Sequence, residues 1–141
     1  MREEEKVNPK DSVGVKKTPF SVVPMPVLWE VGVGLLEGAR KYGRHNWRRK
    51  DVRASVYFDG TMRHLTSWWE GENIDADSGL NHISKAITSL IVFRDAMLQD
   101  CWKDDRPPKT AIQISSFNKM ADQVIQFYPE PEEPELEKKI E

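Results

Sequence analysis

A single cysteine, Cys101, is all the thiol chemistry in this 141-residue chain. An internal disulfide is therefore excluded, and the chain reads as a cytosolic protein. No apolar run approaches the roughly 20 residues that cross a bilayer. The acidic start Met1-Arg2-Glu3-Glu4-Glu5-Lys6 lacks the apolar stretch of a secretory signal. Basic charge is not in excess: 21 Lys and Arg stand against 23 Asp and Glu, for a net charge of −2. That balance speaks against a duplex-binding surface. Internal repeats are absent. Period-two alternation is nearly so, and Ala111-Ile112-Gln113-Ile114 is the one short strand candidate. Apolar residues make up 38% of the chain, a lean supply that suffices for one core.

What is present is helical periodicity. Residues 1–18 are polar and aperiodic and read as a flexible arm. Residues 19–128 form the all-α domain, and residues 129–141, with Pro129-Glu130-Pro131-Glu132-Glu133-Pro134-Glu135, form an acidic, proline-broken tail. A first helix follows Pro24-Met25-Pro26, carries Val27, Leu28, Val31 and Leu35 on one stripe, and stops at Gly43. Its Gly32, Gly34 and Gly38 each cost roughly 1 kcal/mol relative to alanine, which predicts close approach of a backbone or a ligand. A second helix spans about Ser55 to Glu70, with Phe58, Met62, Leu65 and Trp69 at spacings of three and four. The third and most apolar starts near Ser78, capped by Asp77 or Ser78. It carries Ile83, Ala86, Ile87, Leu90, Val92, Phe93 and Met97. A fourth, weaker signal follows Ser115-Ser116. The pattern is that of an all-α helix bundle. Five tryptophans are many for this length. The adjacent Trp68 and Trp69 point to an oligomer interface or a ligand pocket.

Unusual polar residues gather in three segments. Glu72, Asp75 and Asp77 place three carboxylates within six residues between two helices. Such a set suits a hard cation such as Mg²⁺ or Mn²⁺, and equally suits a solvated acidic loop with one helix cap. Glu30 lies in an otherwise apolar helix, with Glu37 on the same face seven residues on. A buried carboxylate there calls for coordination or pairing, and a partly exposed one calls for nothing. Arg40, Lys41 and Arg44, joined by Arg63, His64 and Lys85 if the helices pack, form a basic patch fit for a polyphosphate. Cations at a helix end need no ligand to explain them. Asn46 and Trp47 are able to pair with and stack on a base, although a loop tryptophan is more often plain packing. His82 opens the third helix with Lys85 one turn along; it suits phosphate, a metal, or a structural hydrogen bond.

Taken together, Gly38-Ala39-Arg40-Lys41-Tyr42-Gly43, Asn46-Trp47-Arg48, Arg63-His64-Leu65, and Gly71-Glu72 through Asp75, Asp77, Ser78, Gly79 and His82 resemble the MazG-like dATP/dGTP diphosphohydrolases of phages and bacteria. The likeness is above all to those of phages that replace adenine with 2-aminoadenine. It covers residues 17 to 97, including the lead-in at residues 19–26. The resemblance implies an all-α dimer or tetramer that binds two or more Mg²⁺ or Mn²⁺ ions. It also implies cleavage of a purine deoxynucleoside triphosphate to monophosphate and pyrophosphate by a metal-activated water at the α-phosphorus. The product dGMP would then feed 2-aminoadenine nucleotide synthesis. By the same likeness Glu30, Glu72, Asp75 and Asp77 are metal ligands, with Glu72 and Asp75 central to catalysis. Lys41, Arg63 and His82 hold the phosphates together with Lys85, and Asn46 and Trp47 sit near the nucleoside. The first helix departs from the family pattern, carrying Val33 and Gly34 where a partner carboxylate is usual, and Glu37 is the substitute it offers. The competing reading is a non-catalytic helical module that binds a protein. A metal phosphohydrolase of the His-Asp class is disfavoured, because His45, His64 and His82 are followed by Asn, Leu and Ile.

Overall fold

The computed structural model describes residues 6–137. The chain divides into two compact units, Met1–Arg106 and Pro107–Glu141. In the first unit a short helix, α1 (Pro9–Gly14), is capped by Asn8, whose side chain accepts from the Lys10 amide at 2.9 Å. Helix α2 (Met25–Tyr42) has a proline in its first turn and ends on Gly43 at φ 91°, as the sequence predicts. Helix α3 (Ala54–Trp69) ends just before Gly71 at φ 104°.

Helix α4 (His82–Leu98) begins four residues later than the expected start at Ser78, and neither Asp77 nor Ser78 caps it. The cap is Asn81, whose Oδ1 accepts from the Ile83 amide at 2.8 Å. Residues 72–81 fold instead as a tight loop. The Asp75 amide donates to the Leu80 carbonyl at 2.8 Å, the Gly79 amide to the Asp75 carbonyl at 2.8 Å, and the His82 amide to the Asn73 carbonyl at 3.0 Å. Gly79 at φ 73° permits the reversal.

Helices α3 and α4 pack antiparallel: Tyr57 stacks on Phe93 near one end, and His64 meets His82 at the other. Helices α2 and α4 run parallel, because Glu30 pairs with Ser84 and Gly34 lies on Thr88. A side chain at position 34 would place its Cβ 2.7 Å from the Thr88 hydroxyl. The close approach expected of the helix glycines is thus met at Gly34. A Cβ added at Gly32 or Gly38 would meet nothing within 4 Å from outside its own helix backbone.

Beyond the helices, β1 (Val52–Arg53) pairs in parallel with β2 (Trp102–Lys103). Asp105 accepts from the Ser55 amide at 2.8 Å and from its hydroxyl, which places a carboxylate on the first turn of α3.

The core is small: Val31 (2% exposed), Ala54, Ala86, Val92 and Ala96, joined by the polar Thr61, His82, Ser84 and Thr88. The apolar stripe of α3 does not join this core. Phe58, Met62, Leu65 and Trp69 (78% exposed) all face outward. The helix turns its other face, with Ala54, Tyr57, Thr61 and His64, toward α4. Small and polar side chains there let the backbones approach.

In the second unit, a 3₁₀ turn (Ile114–Ser116) leads into α5 (Phe117–Phe127), in line with the fourth helical signal. Residues Ala111 to Ile114 are not a strand, since Ile114 already belongs to that turn. Residues 129–137 have no helix or strand. The remainder of the proposed tail and residues 1–5 of the proposed arm lie outside the described residues. Among the described residues, no helix is long and apolar enough to cross a membrane.

Candidate functional site

The α2–α4 seam opens into a cleft of about 210 Å³. Among its lining residues are Lys41, Tyr42, Asn46, Trp47, Tyr57 and Lys85. Each arrives for a local reason. Lys41 and Tyr42 close α2. Gly43 and then His45, at φ 61°, turn the chain, and the 3₁₀ turn Asn46–Arg48 brings Asn46 and Trp47 back over the seam. The Trp47 indole Nε1 donates to Asp95 at 2.6 Å, and Arg48 donates to both oxygens of the same carboxylate at 2.9 Å. Those bonds, with Arg48 first and Trp47 second, hold the Asp95 pKa down to about 2. Tyr57 enters from α3, and its burial raises the phenol pKa. Four sequence candidates, Lys41, Lys85, Asn46 and Trp47, thus share one concavity.

Lys41 and Lys85 meet on Glu37. The Lys41 ammonium donates to Glu37 Oε1 at 2.5 Å and that of Lys85 to Oε2 at 2.8 Å. The hydrogen bond from Lys41, then that from Lys85, lowers the Glu37 pKa, and the pairing raises that of Lys41. With both oxygens on ammonium groups, Glu37 is not placed as the missing first-helix metal ligand. Arg63 is exposed on α3 and does not line this cleft.

The remaining candidates gather around the start of α4. The buried His82 ring donates through Nε2 to Glu72 Oε1 at 3.0 Å, and its Nδ1 lies 2.8 Å from His64 Nδ1. In a neutral ring that donation leaves His82 Nδ1 as the acceptor, so the His64 Nδ1 carries the proton. Burial, above all, lowers the His64 pKa, while Asp75 opposes the shift. Asp75 accepts from the Ser78 hydroxyl at 2.6 Å, the main reason its pKa lies below the usual range. Glu30 accepts a short hydrogen bond from Ser84. Asp77 is exposed in the loop and its charge acts on Lys41, while the charge of Lys85 acts on Asp75.

Among the described residues, no three His, Cys, Asp or Glu side chains form a ready metal cluster. The donors nevertheless suit a divalent cation in kind. Asp75 is an ionised oxygen donor held by a hydroxyl, and the histidine pair orients the Glu72 carboxylate from behind. His64, Ser84, Glu37 and Asp95 were not singled out from the sequence for these contacts. Asp95 carried one usable signal, because it continues the Ser84, Thr88 and Val92 face of α4.

The first unit is thus a helical body with a lysine-edged cleft at a helix seam and an acidic loop before α4. The family follows from sequence: residues 7–106 match the model for the dATP/dGTP diphosphohydrolase N-terminal domain, and the chain belongs to that MazG-like family. The match spans the described part of the first unit and stops where the second begins. A dATP/dGTP diphosphohydrolase of Salmonella phage PMBT28 is 27% identical over 96 residues, covering 68% of this chain. The chain spans about a third (32%) of that relative's length. No solved structure matches it.

Proposed function

We propose that the chain hydrolyses a purine deoxynucleoside triphosphate, dGTP or dATP, to the nucleoside monophosphate and pyrophosphate. The observation that carries this reading is the convergence of Lys41, Lys85, Asn46 and Trp47 on one cleft in a chain of this family. In the proposed reaction water adds to the α-phosphorus, the bond from that phosphorus to the α,β-bridging oxygen breaks, and pyrophosphate leaves with the electron pair. Lys41 and Lys85 hold the phosphate oxygens and offset charge building on the leaving group. Trp47, fixed by Asp95, and Asn46 face the nucleoside. Arg63 belongs to the phosphate set only if the bound nucleotide extends past the cleft. His82 orients Glu72, with His64 fixing its tautomer, so Glu72 presents its second oxygen in one direction. Glu30, Glu72, Asp75 and Asp77 would hold two or more Mg²⁺ or Mn²⁺ ions, which when bound acidify water and neutralise phosphate charge. If the substrate is dGTP, the dGMP formed would serve synthesis of 2-aminoadenine nucleotides.

The chain is further proposed to act as a homo-oligomer, a dimer or a tetramer. The outward stripe Phe58, Met62, Leu65 and Trp69, with Trp29 exposed on α2, supports this, because lone chains rarely leave so much apolar surface wet.

The test is incubation with each common nucleoside triphosphate and Mn²⁺, with products separated by chromatography. Pyrophosphate and a purine deoxynucleoside monophosphate are expected. Release of orthophosphate, or no turnover of any nucleotide, refutes the reading. Asp75→Asn is expected to abolish turnover with helical circular dichroism intact, and full activity in that variant removes Asp75 from the site.

A further inference from the structure

One carboxylate joins the two lysines of the cleft, and with both oxygens on ammonium groups it is not placed as a metal ligand. Glu37 sits one turn before Lys41 on α2 and reaches across the seam to Lys85 on α4. Each oxygen takes one ammonium, at 2.5 Å and 2.8 Å, so the three groups form a single bridge with one net positive charge. Glu37 and Lys85 are four-fifths or more buried at the side chain, whereas Lys41 is half exposed. A half-exposed lysine on four rotatable bonds would sweep a wide volume, and ordering it for a ligand costs side-chain entropy. Each ammonium has three donors, so the bridge uses one on each lysine and leaves two for phosphate oxygens.

We propose that Glu37 is a positioning residue that holds Lys41 and Lys85 together as a preassembled clamp for the polyphosphate of the nucleotide. The inference rests on the proposed use of this cleft. It adds that the two lysines act as one unit whose geometry a third side chain sets. An ordinary helix-surface ion pair contributes little and concerns stability alone. Here the carboxylate lines the same cleft as both lysines.

The sign of a binding measurement separates positioning from bulk charge. Removing a negative group beside an anion site tightens anion binding if charge alone matters, and weakens it if the lysines lose their place. Inorganic tripolyphosphate, titrated calorimetrically into the full chain without metal, is the probe. Glu37→Gln is expected to weaken binding about tenfold, with the thermal midpoint within a few degrees of the parent. Glu37→Asp, which is shorter but still charged, is expected to lie between the two, and it keeps the question answerable should the glutamine variant fold poorly. With dGTP or dATP, Glu37→Gln is expected to raise KM more than it lowers kcat. Unchanged or tighter tripolyphosphate binding in Glu37→Gln, or parent-like binding in Glu37→Asp, overturns the clamp. If the parent binds tripolyphosphate through Glu37, Lys41 and Lys85 yet hydrolyses no nucleotide, the clamp stands and the proposed activity falls. If the parent hydrolyses nucleotide and Glu37→Gln binds the probe as tightly, the reverse holds.

Discussion

Asp95 stands behind the cleft and accepts from both Trp47 and Arg48. Its pKa of about 2 lies below the ordinary 3.8. A depressed carboxylate contributes stability that is complete above the unfolded value and is lost as pH falls through the folded one. The contribution of Asp95 should therefore be present above pH 3.8 and fade toward pH 2. Asp95→Asn is expected to cost about 2 kcal/mol in urea unfolding at neutral pH and to flatten that part of the acid profile. It should also weaken nucleotide binding, since Trp47 loses its anchor. The residue types of the cleft were legible in the chain because Lys41, Asn46 and Trp47 fall in recognisable motifs and Lys85 lies one turn after His82. Their supports were not. The contact between His64 and His82 joins positions 18 apart, and that between Glu37 and Lys85 joins positions 48 apart. Nothing in local spacing announces either pair.

Helix ends show the same division at the next scale. Pro26, Gly43 and Gly71 impose their conformations locally, so α2 and α3 begin and end as the chain predicts. The start of α4 could not be read in the same way. Asp77, Ser78 and Asn81 are all good caps, and backbone bonds from Asn73 and Asp75 to residues beyond Ser78 decide among them. Gly34 offers a quantitative check. Alanine gains roughly 1 kcal/mol of helix propensity, but its Cβ would stand 2.7 Å from the Thr88 hydroxyl. Overpacking typically costs about 1–3 kcal/mol. Gly34→Ala is therefore expected to destabilise by about 1 kcal/mol, while Gly32→Ala, with open space around it, is expected to stabilise by a similar amount. Chemical denaturation of the two variants reads the difference directly.

For the whole molecule, periodicity showed that α3 is an amphipathic helix but not which face is inside. The apolar stripe lies outside and the small, polar face lies against α4. A single chain's hydropathy pattern does not separate burial within a chain from burial between chains. Met62→Glu, in the middle of that stripe, is expected to shift the protein to monomer in sedimentation velocity while its helicity persists. A sedimentation coefficient equal to the parent's removes α3 as the contact. The pairing of Val52 with Trp102, together with Asp105 on the first turn of α3, has a different consequence. It ties together the two ends of the α3–α4 hairpin, so the hairpin is a closed ring of backbone. A chain that stops short of Asp105 leaves that ring open and the start of α3 uncovered. The segment just after α4, poor in helix and easily taken for a linker, is therefore the fastening of the domain.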